Sequence, residues 1–152
     1  GRLKAFSNVW LKVTKDPVIR QWIQGYKIPF MSRPTQMSCP VERTWSDKEK
    51  LLLDKQINKL IDKGAIVRCF PSQGQFLSNI FLVPKPDGTH RLILNLKKLS
   101  EFVAAEHFKI EDWKVAKRLI GPHDYMATLD LKDAYYLVPI KKMDRKFLRF
   151  SY

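Results

Sequence analysis

The sequence predicts an α+β domain that is built on an antiparallel sheet. Three observations support this fold class. A capped amphipathic helix begins at Ser46, two β-rich runs meet at Asp87 and Gly88, and short extended runs follow a further helix in the last quarter of the sequence. The resulting order is helix, strand, hairpin, helix, strand, strand.

Residues 1–45 predict two short helices followed by an extended connection. Asp16 is placed to cap the second helix, Pro17 to occupy its first turn and Gly25 to end it. The first helix has apolar residues at helical spacing, namely Leu3, Phe6, Val9, Trp10 and Val13. Three prolines after residue 26 then predict an extended segment that lies on the surface of a main domain, residues 46–152.

The pattern from Ser46 to Gly64 predicts a helix more clearly than any other pattern in the sequence. Ser46 and Glu49 have the spacing of a capping box, in which each side chain bonds the backbone amide of the other residue. The apolar stripe of this helix consists of Leu52, Leu53, Ile57, Leu60 and Ile61. Its basic residues form either a solvated face or a contact with nucleic acid, and they are Lys48, Lys55, Lys59 and Lys63. The run AIVRCF, residues 65–70, predicts a strand.

The run NIFLVPKPDGTHRLILNL, residues 79–96, predicts a β-hairpin. Asp87 and Gly88 tolerate the positive φ that a tight turn requires, and Lys85 and Arg91 flank this turn. The run EDWKVAKRLI that follows predicts a helix, which a Gly-Pro pair ends.

The run YMATLDL, residues 125–131, predicts a buried strand. KDAYY then forms a turn, and extended structure resumes at LVPI and at RKFLRFSY. Asp130 and Asp133 stand in and just after this apolar run, where a desolvated carboxylate without a partner is strongly unfavourable. The two carboxylates therefore either reach a polar edge or hold a cation.

Charge and composition limit the classes of function. The chain has 28 Lys and Arg against 15 Asp and Glu, a net charge of +13, which indicates a polyanionic partner such as nucleic acid or an anionic membrane face. No apolar run approaches the roughly 18 residues of a membrane-spanning helix, so we expect an intracellular, soluble protein without a membrane partner. Cys39 and Cys69 lack the spacing of a zinc site or a disulfide framework, which favours reduced thiols. The three histidines do not have the spacing of metal ligands on one face of a helix; they are His90, His107 and His123.

These motifs together resemble a known family. Residues 46–152 resemble the fingers and the first half of the palm of a reverse transcriptase, an RNA-directed DNA polymerase. The resemblance is carried by a capped helix followed by FLSNIFLVPKPDGTHRLILNLKKLS, TLDLKDAYYLVPI and RKFLRFSY. Residues 1–30 are similar to the segment that precedes the polymerase in retrotransposons of the DIRS class. The Asp-x-x-Asp-Ala-Tyr core, preceded by the Lys…Asp-Gly…Arg hairpin, is a specific combination.

The resemblance implies nucleotidyl transfer by a two-metal mechanism, in which Mg²⁺ ions stabilise the attacking and leaving oxygens. It implies that Asp130 binds both ions. It also implies that the backbone carbonyl of Leu131 helps to hold the ion bound to the triphosphate. The implied partners are an RNA or DNA template-primer and a dNTP.

The resemblance also assigns nucleotide-binding roles. The amides of Asp133 and Ala134 are expected to face the incoming triphosphate, and Tyr135 is expected to lie beneath the sugar, where it excludes a 2′-hydroxyl. Lys85 and Arg91 are expected to neutralise the β,γ- and α-phosphates respectively, on a hairpin that closes over the nucleotide. Structural roles stay open beside these: a backbone cap for the first aspartate, core packing for the tyrosines and ordinary surface charge for the hairpin cations.

A second carboxylate motif is missing from these 152 residues. Reverse transcriptases carry a further carboxylate pair in a Tyr/Phe-x-Asp-Asp hairpin, and this sequence contains none. One carboxylate does not assemble a two-metal site, so we expect a fragment of the enzyme that binds Mg²⁺ weakly or not at all and is inactive alone. Two other classes stay open: a non-enzymatic basic nucleic-acid binder, and an interaction module whose exposed palm edge docks onto a partner protein or a second copy.

Overall fold

The chain folds into several helices and a small antiparallel sheet. The structure is a computed structural model that describes residues 1–104 and 110–152. The α+β class is as predicted, although the sheet in these ranges has only two strands. The α-helices there are α1 (Ser7–Val13), α2 (Pro17–Gln24), α3 (Asp47–Asp62), α4 (Lys97–Ser100) and α5 (Trp113–Leu119), and the strands are β1 (Ile80–Pro84) and β2 (His90–Leu94). Short 3₁₀ helices cover Arg2–Phe6, Ala134–Tyr136 and Arg145–Phe147.

The two N-terminal helices are confirmed. Helix α2 has the predicted ends, whereas the first predicted helix divides into the 3₁₀ helix Arg2–Phe6 and α1. The Asp16 carboxylate caps α2 by accepting hydrogen bonds from the amides of Val18 and Ile19, at 2.8 and 3.4 Å. Pro17 occupies the first turn, where a missing amide hydrogen does no harm. Gly25 ends the helix with φ 155°, in a region that favours glycine.

The extended segment after α2 packs against the last part of the chain. The Tyr26 amide donates to the Pro139 carbonyl at 2.7 Å, and the Tyr26 carbonyl accepts from the Lys141 amide at 2.9 Å. The Phe30 ring meets the Phe147 ring edge-on, with 5.1 Å between ring centroids. This segment therefore contributes a side chain to the core as well as covering the surface.

Helix α3 begins with the predicted capping box. The Glu49 amide donates to the Ser46 hydroxyl at 3.3 Å, and the Ser46 amide donates to the Glu49 carboxylate at 2.9 Å. Leu53 and Ile57 are buried on the apolar face of the helix, which packs against β2. Gly64 lies just past the C-terminal end with φ 65°, a left-handed conformation that often ends a helix.

Strands β1 and β2 form the predicted hairpin and pair antiparallel along all five residues of each. The Lys85 amide donates to the Thr89 carbonyl at 2.8 Å, and the Gly88 amide donates to the Lys85 carbonyl at 3.0 Å. Gly88 has φ 75°, whereas Asp87 has no positive φ and accepts hydrogen bonds from the Thr89 amide and hydroxyl instead. The connection is therefore a three-residue loop that ends in a left-handed glycine.

Two predicted strands are wrong. Residues 65–70 and 125–131 form no strand, because a strand needs a neighbour that pairs its amides and carbonyls, and the described ranges place none beside either run. Their apolar side chains face water, with Phe70 91% exposed and Leu129 92% exposed.

The expected extended structure of the last residues is also wrong in part. Residues 145–147 form a 3₁₀ helix, and extended pairing there is limited to isolated parallel bridges at Ile140, opposite Tyr26, and at Arg149, opposite Leu77. Helix α4, which the sequence did not predict, and α5, which it did, complete the described helices.

An aromatic cluster forms the centre of the core. Phe76, Leu99 and Phe147 are buried together, and Phe30 and Phe102 pack against them. The Phe76 and Phe102 rings meet edge-on at 6.1 Å between centroids. The core thus joins the segment after α2, the loop that leads into β1, helix α4 and the last 3₁₀ helix.

Among the described helices the longest is α3, with 16 residues. Within the described ranges, none of the helices combines the length and the apolar composition that crossing a membrane requires.

Candidate functional site

Lys85 and Arg91 lie on one face of the hairpin. Arg91 is opposite Val83 in the strand register, and Lys85 follows Val83 by two residues. Because successive side chains of a strand point to opposite faces, residues two positions apart share a face, and Lys85 and Arg91 lie on the same one. The backbone bond between Lys85 and Thr89 continues the ladder to this position. Diagonal neighbours on an antiparallel pair are about 7–8 Å apart, a separation that one polyphosphate spans. Lys85 is half-buried and Arg91 is exposed.

Asp130 lies in an exposed segment, and so does the neighbouring Leu131. Within residues 1–104 and 110–152 no hydrogen bond or ion pair engages the Asp130 carboxylate. The prediction that this carboxylate ends a buried strand is therefore wrong, because the segment has no neighbouring strand to bury it. The Asp130 side chain also caps no backbone amide in these ranges.

Asp133 is turned towards the C-terminal end of α3. Its carboxylate accepts a hydrogen bond from the Lys63 ammonium group, which also forms an ion pair with it. This hydrogen bond lowers the pKa of Asp133 below its usual value of 3.8. Partial desolvation acts in the opposite direction and raises the pKa. The positive charges of Lys63, Lys132 and Lys59 lower it further. The Asp133 backbone is left-handed, with φ 59° and ψ 33°. Aspartate is one of the few residues that tolerate this conformation.

A 3₁₀ helix from Ala134 to Tyr136 follows Asp133. The Tyr136 amide donates to the Asp133 carbonyl at 2.9 Å. In the described part of the chain no backbone acceptor engages the amides of Asp133 and Ala134. Tyr135 is 97% exposed, so its ring has no core-packing role in this structure.

The described residues bring only part of the predicted site together. No hydrogen bond or ion pair in those ranges joins Lys85 or Arg91 to residues 130–135. The Asp133 carboxylate is directed to Lys63.

The predicted magnesium site has one side-chain ligand, Asp130, among the described residues. Across residues 1–104 and 110–152, no three carboxylate, imidazole or thiol groups converge where a metal ion would bind. Asp130 offers one carboxylate, whereas Mg²⁺ in such sites takes several oxygen ligands. Of the three histidines, His90 lies in β2, His123 lies in a turn with φ 69°, and His107 lies outside the described residues. Cys39 and Cys69 are free exposed thiols.

The sequence did not single out Lys63 as a partner of Asp133. It stood among four lysines of α3 that were assigned to a solvated face or to nucleic acid. The contact joins residues 70 positions apart, so no local spacing signals it. Its position in the last turn of the helical pattern was the one available hint, since cations are favoured at a helix C-terminus.

A comparison of the chain with models of known protein families found no match. The assignment of a function therefore depends on the hairpin cations and on the loop from residue 130 to residue 135.

Proposed function

We propose that the chain is part of a retrotransposon reverse transcriptase, an RNA-directed DNA polymerase. Residues 46–152 would then contribute the fingers and the first half of the palm of a right-hand polymerase fold. The observation that carries the proposal is the hairpin face that presents Lys85 and Arg91 together. It occurs in the same chain as the Asp-x-x-Asp-Ala-Tyr motif that begins at Asp130.

The chemistry of the hairpin face suits a triphosphate. The ammonium group of Lys85 is a compact point charge, and the Arg91 guanidinium presents parallel donors that match two phosphate oxygens. The glycine-containing loop connects the two strands beside these cations. A hairpin of this kind can approach and leave a bound nucleotide as a unit.

The loop after Asp130 supports the same ligand. A left-handed Asp133 followed by a right-handed turn at Ala134 directs successive amides to one side, which is the geometry of an anion-binding nest. The exposed Tyr135 ring is available to lie against a sugar. We propose that these amides face the triphosphate and that Tyr135 excludes a 2′-hydroxyl.

Mg²⁺ is the cofactor that we propose for the intact enzyme, with the Asp130 carboxylate and the Leu131 carbonyl among its ligands. When bound, it would stabilise the charge on the reacting phosphate oxygens. Because the described residues bring no three metal-ligating side chains together and the sequence lacks the Tyr/Phe-x-Asp-Asp motif, we expect the 152-residue chain to bind Mg²⁺ weakly and to be inert alone.

A second candidate is a non-enzymatic nucleic-acid binder that derives from such an enzyme. The observation in its favour is the net charge of +13, which suits phosphate contacts without sequence readout. The two candidates make different predictions for the hairpin. If the chain is only a nucleic-acid binder, Lys85 and Arg91 contribute no more to binding affinity than any other cation.

Separate titrations of a dNTP and of a DNA duplex, at one ionic strength and with Mg²⁺ present, test the proposal. We expect Lys85→Ala and Arg91→Ala to weaken dNTP binding about tenfold, the loss expected for one hydrogen bond to a charged group, and to weaken duplex binding far less. The control variants Lys48→Ala and Arg118→Ala remove exposed cations elsewhere and should change both affinities little. Equal small losses in all four variants, or no dNTP binding by the wild type, would overturn the nucleotide-binding assignment.

A further inference from the structure

The Asp133 carboxylate contacts Lys63 at the C-terminal end of α3, and the positive charges of Lys59 and Lys132 also act on it. Lys59 and Lys63 are four residues apart in the last turns of the helical pattern and therefore share a face. Lys132 precedes Asp133 and contributes positive charge to the same place. This group, which we call the α3 cation cluster, consists of Lys59, Lys63 and Lys132.

The three lysines of the cluster carry more positive charge than Asp133 and the neighbouring exposed Asp62 neutralise together. Asp133 forms a hydrogen bond and an ion pair with Lys63, and the side chains of Lys63 and Asp133 are 30% and 36% exposed. Solvent thus reaches the pair, and a soluble anion can reach it as well. The C-terminal end of the helix dipole adds negative potential that holds the cations at this end of α3.

We propose that the α3 cation cluster is a phosphate-binding site that the Asp133 carboxylate occupies as an internal competitor. A carboxylate and a phosphate group both offer anionic oxygens to an ammonium group, and a phosphate carries more charge and more acceptor oxygens. When a phosphate group takes Lys63, Asp133 is released. The inference needs only these four residues and does not depend on the proposed polymerase function.

Release of Asp133 also changes the loop that contains it. The ion pair ties this loop to α3 across 70 positions of sequence, and the tie is made at the left-handed residue of the loop. A phosphate on Lys63 therefore frees the loop that begins at residue 130. Binding at the cluster and the position of this loop are linked.

The first test compares Asp133→Asn with Asp47→Asn in the full 152-residue chain. Asparagine tolerates the left-handed backbone, so the first variant removes the competing charge without straining the loop. Asp47 forms an ion pair with Lys50 at 3.3 Å at the opposite end of α3, so the second variant makes the same change of charge at a second, more exposed ion pair of this helix. The probes are oligodeoxythymidylate and inorganic tripolyphosphate, and circular dichroism checks that each variant is folded.

We expect Asp133→Asn to bind a phosphate probe about two- to fivefold more tightly than the wild type, the range set by the strength of an exposed ion pair. Asp47→Asn should show a smaller gain. A gain with the oligonucleotide alone assigns the site to a nucleic-acid strand, a gain with tripolyphosphate alone assigns it to a free polyphosphate, and a gain with both assigns it to phosphate from either source. Equal gains in the two variants, or none in Asp133→Asn, would overturn the proposal.

The second test asks whether the gain passes through Lys63. In the Lys63→Ala background, Asp133→Asn should no longer tighten binding, because the group for which the carboxylate competes is gone. In the Lys50→Ala background the gain should persist in full. A gain that survives Lys63→Ala would show that Asp133 acts only through the overall charge and would also overturn the proposal.

Discussion

The Asp144 carboxylate accepts a hydrogen bond from the Ile28 backbone amide at 3.0 Å, across 116 positions of sequence. Asp144 is only 6% exposed. Its own backbone is fixed, because its amide donates to the Lys141 carbonyl and its carbonyl accepts from the Phe147 amide, each at 3.0 Å. This buried side chain therefore fastens the segment after α2 to the last part of the chain.

We expect Asp144→Ala to lower the free energy of unfolding by about 1–3 kcal/mol, because the partly buried Ile28 amide would lose its acceptor. Asp144→Asn keeps an acceptor oxygen at the same place and should lose less. Urea unfolding of both variants measures the difference. Asp62→Ala, which removes an exposed carboxylate, is the control, and a loss no larger than that of the control would contradict the role of Asp144.

The hairpin loop depends on the left-handed backbone of Gly88, which has φ 75°. A Cβ atom at this position would meet nothing within 4 Å, so the cost of a side chain there is conformational and not steric. We expect Gly88→Ala to lower the free energy of unfolding by about 1–2 kcal/mol and Gly88→Asn by less, since asparagine tolerates φ > 0. Thermal unfolding monitored by circular dichroism compares them, and equal losses would show that the backbone conformation is not the cause.

Features that depend on neighbours in sequence were predicted from the sequence. The Ser46–Glu49 capping box and the Asp16 cap each need residues within three positions, and the hairpin turn at Gly88 needs only a short loop. Each of these elements is present. Asp112 caps α5 through the amides two and three residues ahead, a local cap that the sequence analysis did not name.

Features that depend on distant partners were not predicted correctly. Residues 125–131 have a strand-like composition, but β structure forms only against another strand, and the described residues supply none there. The same limit applies to the site. The sequence placed Asp130 and Asp133 near each other, but it gave no sign that Lys63 would bind the second carboxylate.

Glu49 should make the stability of the chain depend on pH. Hydrogen bonds from the Ser46 backbone amide and the Ser46 hydroxyl lower the pKa of Glu49 below its usual value of 4.5. Desolvation opposes this shift, and the nearby Arg43 charge adds to it. The unfolded chain then binds the proton more readily than the folded chain does. This contribution is therefore present above the unfolded pKa and is lost as the pH falls through the lower, folded pKa.

We expect Glu49→Gln to weaken this dependence. Glutamine can still bond the Ser46 amide in a capping box but does not titrate in this range. Between about pH 5 and pH 3, stability should fall less steeply in the variant than in the wild type. Urea unfolding across this range provides the measurement, with Glu111→Gln as an exposed control. Parallel pH profiles for the wild type and Glu49→Gln would rule out a titrating cap.

We expect the 152-residue chain to self-associate through residues 125–136. Apolar side chains there are exposed within a single short run, among them Tyr125, Met126, Leu129 and Tyr135. Clusters of exposed apolar side chains of this kind mark interaction or aggregation sites on soluble proteins. The net charge of +13 opposes contact between copies, so association should strengthen as added salt screens that charge.

Sedimentation velocity at tens of micromolar, roughly the range in which exposed apolar surface associates, measures this expectation at low and at high salt. The double variant Met126→Glu with Leu129→Glu places two charges in the run and should sediment as a monomer. Met37→Glu with Val41→Glu makes the same change of charge at two other exposed apolar residues and should still associate. A wild type that remains monomeric at high salt would contradict the expectation. Only the first pair of substitutions lies in the run from residue 125. If both double variants were equally monomeric, the added charge alone would explain the loss of association, and the run would not be its site.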